Sequence, residues 1–245
     1  MRLDVFLYER GYVGSRTEAK GFITEGAVTV GGKVIRKPAF DVSLDSEDVR
    51  VDTSTKKYVS RGGLKLEGAL SYFSVSVMGK SCLDVGASSG GFTDCLLQNG
   101  ALRVLSVDSG EGQLVESIRR DGRVTIYENF NARYMKQSDF PYVPELCVMD
   151  VSFISATYII PAIYECLSEN GEFICLIKPQ FEVGRSNLSK GGIVKDEKAR
   201  KLATDKVIDF AKSVGFSFIA LTESSITGGD GNIEYLAYFK KQFLG

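Results

Sequence analysis

The stretch Ser81-Cys-Leu-Asp-Val-Gly-Ala-Ser-Ser-Gly-Gly-Phe-Thr93 combines an apolar run, three glycines and the start of an amphipathic segment. The run from Cys82 to Val85 predicts a buried parallel strand, and Gly86 ends it where a sharp turn is needed. The two later glycines precede apolar residues at helical spacing, which is typical of a helix N-terminus. The stretch therefore predicts a strand, a tight turn and a helix, the repeating unit of a parallel α/β sheet.

Two carboxylates, one within the predicted strand and one after the next apolar run, indicate a nucleoside site. Asp84 lies within the first strand, and Asp108 directly follows the next apolar run, Arg103 to Val107. A carboxylate at that strand end can accept hydrogen bonds from both hydroxyls of a ribose. The glycine spacing is G-x-x-x-G-G, whereas a dinucleotide site requires G-x-G-x-x-G. The pattern favours S-adenosylmethionine over a nicotinamide dinucleotide, and the carboxylates make it more specific than an ordinary glycine-rich turn.

The composition restricts the class of protein and its compartment. An apolar content of 44% and a charged content of 25% are typical of a soluble globular protein, and no apolar run is long enough to span a membrane. Asp4 and Glu9 lie where a signal peptide would be basic and apolar. The five cysteines are scattered through apolar stretches without a CxxC pair. We therefore expect free thiols in a cytoplasmic protein, with no disulfide and no metal site.

The chain contains no histidine, which excludes Ser-His-Asp and Cys-His hydrolases and metal centres held by histidine. Any general base must be a carboxylate, a lysine or a tyrosine. The net charge of −1 does not indicate a nucleic-acid-binding protein as a whole. RNA binding must therefore depend on a local cluster of basic residues.

Residues 1–58 are predicted to form a small α+β domain. Two short helices are followed by a hairpin around Gly31-Gly32, with another strand or two between Val42 and Val51. A polar linker at residues 54–57 leads to a second domain, residues 59–245. Basic side chains of the second helix and the hairpin could share one face, although charge alone is equally typical of an ordinary solvated surface. These residues are Arg16, Lys20, Lys33, Arg36 and Lys37.

Residues 59–245 alternate strands and helices, which predicts a Rossmann-like, doubly wound α/β sheet. In such sheets a ligand lies at the carboxyl ends of the strands, and Asn129 follows the third strand, where it could contact a base edge. Charged residues fall at the same rim: one on the helix that follows the linker and three at the ends of strands. They are Lys65, Asp150, Lys178 and Glu234.

Charges at the ends of apolar strands require partners, and these four residues are the natural partners of one another. A structural cluster of ion pairs is one interpretation. Catalysis is the other, because the positive charge of Lys65 favours a neutral Lys178, which could remove a proton from a sugar hydroxyl. Asp150 and Glu234 would then orient the amine.

Two sets of motifs carry a family resemblance. The run R-L-D-x-F-L, followed by S-R-x-x-A-K-x-x-I-x-x-G-A-V-x-V-x-G-K-x-x-x-K-P, resembles the S4 RNA-binding fold. The motifs D-V-G-A-S-S-G-G-F, V-M-D-V-S-F-I-S, I-K-P-Q-F-E and I-E-Y-L-A-Y-F resemble those of FtsJ-type ribose 2′-O-methyltransferases. Joined by V-S-R-G-G-x-K-L, the whole chain resembles the TlyA (haemolysin A) family.

The resemblance implies methylation of a cytidine 2′-hydroxyl in ribosomal RNA by a Lys-Asp-Lys-Glu tetrad, which Lys65, Asp150, Lys178 and Glu234 fill. RNA contact would come from Arg16, Lys20 and the basic hairpin. The shorter members of the family tend to modify only the large subunit, and this short chain fits that group. The resemblance also implies a set of contacts to S-adenosylmethionine, with Asp108 on the ribose and Asn129 near the adenine. The other residues of that set are Gly86, Gly90 and Phe92, and Asp84 belongs with them as the carboxylate of the first strand.

Three other functions are considered. The glycine spacing argues against a nicotinamide-dependent dehydrogenase on a similar fold. A membrane-active haemolysin would need a basic amphipathic helix or a long apolar segment, and the sequence has neither, so we expect no stable membrane association. An RNA-binding protein without catalysis would retain the basic surface but would have no use for the four charged residues.

Overall fold

The computed structural model describes residues 1–43, 48–52, 57–184, 187–189, 191–228 and 231–242, without the side chains at positions 17, 18 and 25. The chain divides into two compact units, Met1–Arg61 and Gly62–Gly245. The boundary expected after residue 58 lies close to this division. Most of the expected linker, residues 54–56, and part of the expected strand region, residues 44–47, lie outside the described residues.

The small unit is built from two helices and a three-stranded antiparallel sheet. Apolar side chains from both helices and the sheet form its core, which includes Leu3, Phe6 and Ile23. The strand order is β2-β1-β3, and the pairing of Val30 with Lys33 confirms the hairpin expected around the two glycines. The elements are α1 (Leu3–Glu9), α2 (Arg16–Glu25), β1 (Val28–Val30), β2 (Lys33–Val34) and β3 (Val49–Val51).

The large unit contains a seven-stranded sheet with the order β6-β5-β4-β7-β8-β10-β9. Its strands are β4 (Ser81–Val85), β5 (Arg103–Val107), β6 (Val124–Tyr127), β7 (Leu146–Met149), β8 (Glu172–Ile177), β9 (Phe216–Glu223) and β10 (Tyr235–Lys241). Strands β4 to β8 are mutually parallel, and β10 is antiparallel to both of its neighbours. The α/β fold class predicted from the sequence is confirmed.

The connections differ in detail from the expected pattern. The sequence of residues 113–119 predicts a helix, and the structure has a single turn there, Glu116–Arg119. Residues 156–167 are predicted to form one helix, and the structure has a 3₁₀ turn, Ala156–Tyr158, followed by a separate α-helix, Ile160–Cys166. Pro161 explains the split, because proline is tolerated in the first turn of a helix but not in its interior. The helices are α3 (Gly62–Phe73), α4 (Gly91–Gln98), α5 (Glu116–Arg119), α6 (Ile160–Cys166), α7 (Pro179–Glu182) and α8 (Glu197–Val214).

The order of the strands determines where a ligand can bind. The chain runs outward from β4 to β5 and β6, then returns to the other side of β4 with β7. At such a reversal the loops that follow adjacent strands diverge and leave a crevice at their carboxyl ends. The loops after β4, β5 and β7 border this crevice. Within the described residues, no helix is long and apolar enough to cross a membrane.

Candidate active site

A cavity of about 340 Å³ opens at the carboxyl ends of β4, β5 and β7. This volume falls within the range of small-molecule sites. Its walls come from the turn after β4, the loop after β5, the segment after β6 and the loop after β7. The lining residues are Val85, Gly86, Ser88, Val107, Asp108, Ser109, Gln113, Phe130, Asn131, Ala132, Asp150, Val151, Ser152, Phe153, Ile154 and Ile159.

Asp108 is a fixed acceptor in the wall of this cavity. One carboxylate oxygen accepts a hydrogen bond from the backbone N–H of Ser88 at 2.7 Å, and the other accepts one from Gly110 at 2.7 Å. Each oxygen keeps a further lone pair, so the side chain can still accept hydrogen bonds from two hydroxyl groups of a ligand. The acceptor positions that remain on Asp108 and the volume of the cavity therefore fit the nucleoside part of S-adenosylmethionine.

The two glycines singled out in the sequence have different roles. Gly86 lines the cavity and has φ +86°, and a Cβ there would lie 2.2 Å from the carbonyl oxygen of Asp150. Glycine is thus required where the ends of β4 and β7 meet. Gly90 has φ +95°, and a Cβ there would lie 2.9 Å from Leu114 Cδ1. Gly90 therefore permits packing against Leu114 and is not among the lining residues.

Asp84 is entirely buried and does not line the cavity. One of its oxygens accepts a hydrogen bond of 2.6 Å from the hydroxyl of Thr93, which lies 2.8 Å from the hydroxyl of Ser106. The other oxygen, Oδ1, has no hydrogen-bond partner. Burial is the main reason why the pKa of Asp84 rises to about 7. The side chain of Asp84 is thus enclosed within the protein and is not among the residues that line the cavity, and its expected role at the cofactor stays a prediction.

Two other expected contacts to the cofactor are not supported by the cavity. Phe92 is buried in the first turn of α4. Asn129 is exposed and adopts φ +54°, and its backbone N–H donates to the carbonyl of Gly110 at 3.0 Å. The residues that follow it, Phe130 and Asn131, line the cavity instead. The roles of Phe92 and Asn129 stay predictions.

Lys178 follows β8 and contacts two residues of the cavity wall. Its Nζ lies 2.5 Å from Asp150 Oδ1 and donates a hydrogen bond of 2.7 Å to the hydroxyl of Ser152. Asp150 Oδ1 nevertheless has no hydrogen-bond partner, because the approach of the amine is close but poorly aligned. The contact with Asp150 is thus an ion pair, whereas the directed bond goes to Ser152. Lys178 is held directly beside the cavity.

Lys65 and Glu234 form a second, more deeply buried ion pair. Lys65 Nζ donates to Glu234 Oε2 at 2.6 Å, and the exposed fractions of the two side chains are 10% and 3%. A Cβ at Gly228 would lie 2.4 Å from Glu234 Oε1, so a larger residue there would require this carboxylate to shift. The sequence contained no signal for the role of Gly228.

The sheet brings the two ion pairs to one edge. Tyr235 pairs with Ile177 in the antiparallel register of β10 and β8, and Glu234 and Lys178 are the next residues beyond this pair. Asp150 follows β7, the other neighbour of β8. All four charged residues predicted from the sequence are therefore paired. They lie close to one another at the side of the sheet where the parallel strands have their carboxyl ends, which we call the carboxyl edge.

Phe153 is a feature of the rim that sequence reasoning missed. It lines the cavity, its exposed fraction is 92%, and its backbone adopts φ +66°. Its ring centroid lies 5.3 Å from that of Phe181. A bulky residue in the left-handed region is rare and is characteristic of functional sites. The sequence offered as a signal only an aromatic residue three positions after Asp150.

The five basic residues predicted to bind RNA fall into two groups. Arg16 lies 3.5 Å from the buried Asp4, whose pKa is lowered first by a hydrogen bond from Arg2 and further by Arg16. Arg36 donates to the carbonyl of Thr24 at 3.1 Å, near the end of α2. These two arginines thus have structural contacts within the small unit. The remaining three, Lys20, Lys33 and Lys37, are exposed.

Comparisons with known proteins follow the division of the chain. The profile of the S4 domain matches residues 1–49, and that of the FtsJ-like methyltransferase matches residues 58–241. Hemolysin A of Brachyspira hyodysenteriae is 44% identical over 240 residues, covering 98% of this chain and 99% of that protein.

Two further relatives have names that state a reaction. The 16S/23S rRNA (cytidine-2′-O)-methyltransferase TlyA of Mycobacterium tuberculosis is 39% identical over 241 residues, covering 98% of this chain and 90% of the relative. The 23S rRNA (cytidine-2′-O)-methyltransferase TlyA of Campylobacter jejuni is 35% identical over 262 residues, covering 98% and 100%.

Solved structures agree with the fold. A structure from Streptococcus thermophilus, described as a hemolysin, has a TM-score of 0.80 and 41% identity, covering 99% of this chain and 88% of the other. An S-adenosylmethionine-dependent methyltransferase from Mesorhizobium loti has a TM-score of 0.54 at 15% identity, covering 71% of this chain and 96% of its own. The second likeness is one of fold alone.

Proposed function

The chain belongs to the TlyA family of FtsJ-like methyltransferases, and we propose that it methylates the 2′-hydroxyl of a cytidine in ribosomal RNA. S-adenosylmethionine is the cofactor of its methyltransferase domain. The observation that carries the proposal is the position of Lys178, whose amine contacts two groups in the wall of the nucleoside cavity, Asp150 and Ser152. The names of the relatives from Mycobacterium tuberculosis and Campylobacter jejuni support the substrate.

Two residues of the cavity wall are proposed to hold the cofactor. Asp108 would take the ribose hydroxyls, and Gly86 would let the ligand lie against bare backbone. Bound there, S-adenosylmethionine supplies a methyl group that its sulfonium already makes electrophilic. The main task of the protein is therefore to bring the 2′-oxygen into line with the bond to that methyl group.

Lys178 is proposed to accept the proton of the 2′-hydroxyl. A lysine can do this only in its neutral form. Once Lys178 has taken the proton, Asp150 stabilises the resulting ammonium, and Ser152 fixes the direction of the amine through its hydrogen bond. General base catalysis of this kind contributes a factor of about 10² to 10⁴.

The target nucleotide must leave its stack to enter the cavity, because a 2′-hydroxyl within a helix cannot reach the ends of the strands. Phe153 is exposed at the rim and held in a strained conformation, and it offers an aromatic face to the displaced base. We propose that the large-subunit RNA is the preferred substrate, as the name of the relative from Campylobacter jejuni states for that protein, and that the reaction takes place in the cytoplasm.

One experiment tests this function directly. The protein is incubated with labelled S-adenosylmethionine and either purified 30S subunits, purified 50S subunits or naked ribosomal RNA, and the labelled nucleotide is mapped. We expect 2′-O-methylcytidine, mainly in the large subunit. Label on a base or on protein, or no transfer to any of the three, would contradict the proposal, and leakage of liposomes by the protein would favour a lytic function instead.

The small unit is proposed to bind the RNA through its exposed lysines. Reversing the charge at Lys20 and Lys33 should raise the KM for RNA several-fold and make binding less dependent on salt, because fewer phosphate contacts are formed. The affinity for the cofactor, measured by calorimetry, should not change. Equal salt dependence in the variant and the wild type would show that this face does not touch RNA.

A further inference from the structure

Glu182 joins two segments of the site that are distant in sequence. It is the last residue of α7, the short helix that follows Lys178, and the exposed fraction of its side chain is 2%. One carboxylate oxygen accepts a hydrogen bond from the backbone N–H of Ala156 at 2.7 Å. The other accepts one from the hydroxyl of Ser155 at 2.6 Å, and Lys206 Nζ lies 3.0 Å from it. We call Glu182 with these three partners the Glu182 clamp.

The clamp holds the end of the segment that forms one wall of the cavity. That segment, residues 151–155, begins after Asp150, whose backbone N–H donates to the carbonyl of Val85 at 2.9 Å. Its other end is fixed by Glu182 through Ser155 and Ala156. Between the two fixed ends lie Ser152, which accepts the hydrogen bond of Lys178, and the strained Phe153.

Glu182 also fixes the backbone next to Lys178, on the other side of the contact between Lys178 and Ser152. Because Glu182 ends the helix that starts directly after Lys178, the clamp ties the backbone that carries the amine to the backbone that carries its acceptor. Lys206 of α8 supplies the counter-charge and also donates to the carbonyl of Glu182 at 3.1 Å. A buried carboxylate with all its hydrogen bonds satisfied is a rigid connection.

Resting on the proposed function, we propose that Glu182 is a positioning residue for methyl transfer, which sets the distance and direction between Lys178 and the cavity wall at Ser152. It touches neither the reacting atoms nor the cofactor residues Asp108 and Gly86. Its loss should therefore lower the rate of the chemical step while leaving cofactor binding intact.

The test compares Glu182→Gln with Glu172→Gln. Both carboxylates are largely buried and paired with a lysine, but Glu172 lies at the start of β8, at the opposite edge of the sheet. Single-turnover methylation with saturating RNA and cofactor should slow about 10- to 100-fold in Glu182→Gln, with an unchanged KM for RNA and an unchanged Kd for S-adenosylmethionine. The midpoint of the pH–rate profile should also move. In Glu172→Gln the rate constant and the midpoint should stay those of the wild type, although the melting temperature falls.

Ser155→Ala provides a second variant in case Glu182→Gln does not fold. It removes one of the donors to Glu182 and keeps the carboxylate, so it should slow the reaction by a smaller factor at a nearly unchanged melting temperature. A wild-type rate of methyl transfer in both Ser155→Ala and Glu182→Gln would overturn the proposal. So would a loss of rate that is explained entirely by the fall in melting temperature, as judged against Glu172→Gln.

Hydrogen exchange distinguishes failure of this inference from failure of the proposed function. Without any RNA, the amides of residues 151–156 should exchange faster in Glu182→Gln than in the wild type and in Glu172→Gln. Unchanged exchange in that segment would overturn the clamp. A wild-type protein that methylates no ribosomal RNA would contradict the proposed function, and the exchange measurement would still decide whether Glu182 holds the segment.

Discussion

The two edges of the central sheet carry similar charges but satisfy them differently. At the amino edge, Glu172 is contacted by Lys80 and by the hydroxyl of Tyr238, with Lys240 at 3.9 Å. Both of its oxygens therefore have donors. At the carboxyl edge, Asp150 lines the cavity, and its buried Oδ1 lies beside Lys178 without a hydrogen bond.

This difference suggests separate roles for the two carboxylates, one in stability and one in function. A carboxylate whose lone pairs are all used within the protein can only hold strands together. A carboxylate in a cavity wall whose hydrogen-bonding capacity is not used up within the protein can still accept a hydrogen bond from a ligand. Glu172 is thus expected to affect stability alone, and Asp150 with Lys178 to affect methyl transfer.

The largest expected effect is at Lys178. Lys178→Ala and Lys178→Arg should both lower the rate of methyl transfer by about 10² to 10⁴, because arginine keeps its charge but does not release its proton at working pH. Single-turnover assays with labelled cofactor measure the rate, and calorimetry should show unchanged cofactor affinity. An active Lys178→Arg enzyme would mean that the lysine provides only charge, and orientation alone would then account for catalysis.

Lys65→Met should lower both the stability of the protein and the rate of methyl transfer, because it leaves the buried Glu234 without its partner. Breaking a buried ion pair in this way costs about 3 to 5 kcal/mol, which chemical denaturation can measure. The double variant Lys65→Met with Glu234→Leu should recover much of the stability but none of the activity. Recovery of activity in the double variant would contradict a catalytic role for this pair.

Glu172→Gln should lower the free energy of unfolding by about 1 to 3 kcal/mol, because the partners of a buried carboxylate lose a charged acceptor. Burial opposes ionisation of Glu172, but the hydrogen bonds from Lys80 and Tyr238 outweigh it, and its pKa is lowered. Its stabilisation is therefore present above the pKa of an unfolded glutamate, about 4.3, and is lost as pH falls through the lower folded value. Denaturation between pH 3 and 7 should show a shallower acid loss in the variant than in the wild type.

Asp84→Asn should change stability with the opposite dependence on pH. Burial raises the pKa of Asp84 to about 7, so the folded protein binds a proton that the unfolded chain has already released above about pH 4. The contribution of Asp84 to stability thus decreases as pH rises from about 4 to 7. The variant should lack this decrease in denaturation curves, and an unchanged pH dependence would show that Asp84 titrates normally.

The sequence predicted most of the architecture for a simple physical reason. Short apolar runs followed directly by a charged residue mark the carboxyl ends of buried strands, which is why Asp108, Asp150 and Lys178 were found. The motif resemblance is confirmed over almost the whole chain. The pairing of Lys178 with Asp150 also follows from the neighbouring positions of β7 and β8.

Contacts that depend on loop conformation could not be predicted. Nothing local to residue 182 indicates that its carboxylate bonds to residues 155 and 156, because α7 and the loop after β7 meet only in the folded state. The complete burial of Asp84 could not be predicted for a related reason: a carboxylate in a strand can point into the core when Thr93 supplies a donor. The left-handed conformation of Phe153 has no sequence signal, since non-glycine residues rarely adopt it.

The position of β10 has a consequence for the order in which the site is assembled. This strand lies between β8 and β9 in the sheet, and it directly follows Glu234, which pairs with Lys65, 169 positions earlier in the sequence. Contacts between residues so far apart in sequence are slow to form, because a long stretch of chain must be ordered before they close. We therefore expect the parallel strands β4 to β8 to pair before β10 joins them. The cluster of four charged residues is then completed only when β10 inserts between β8 and β9.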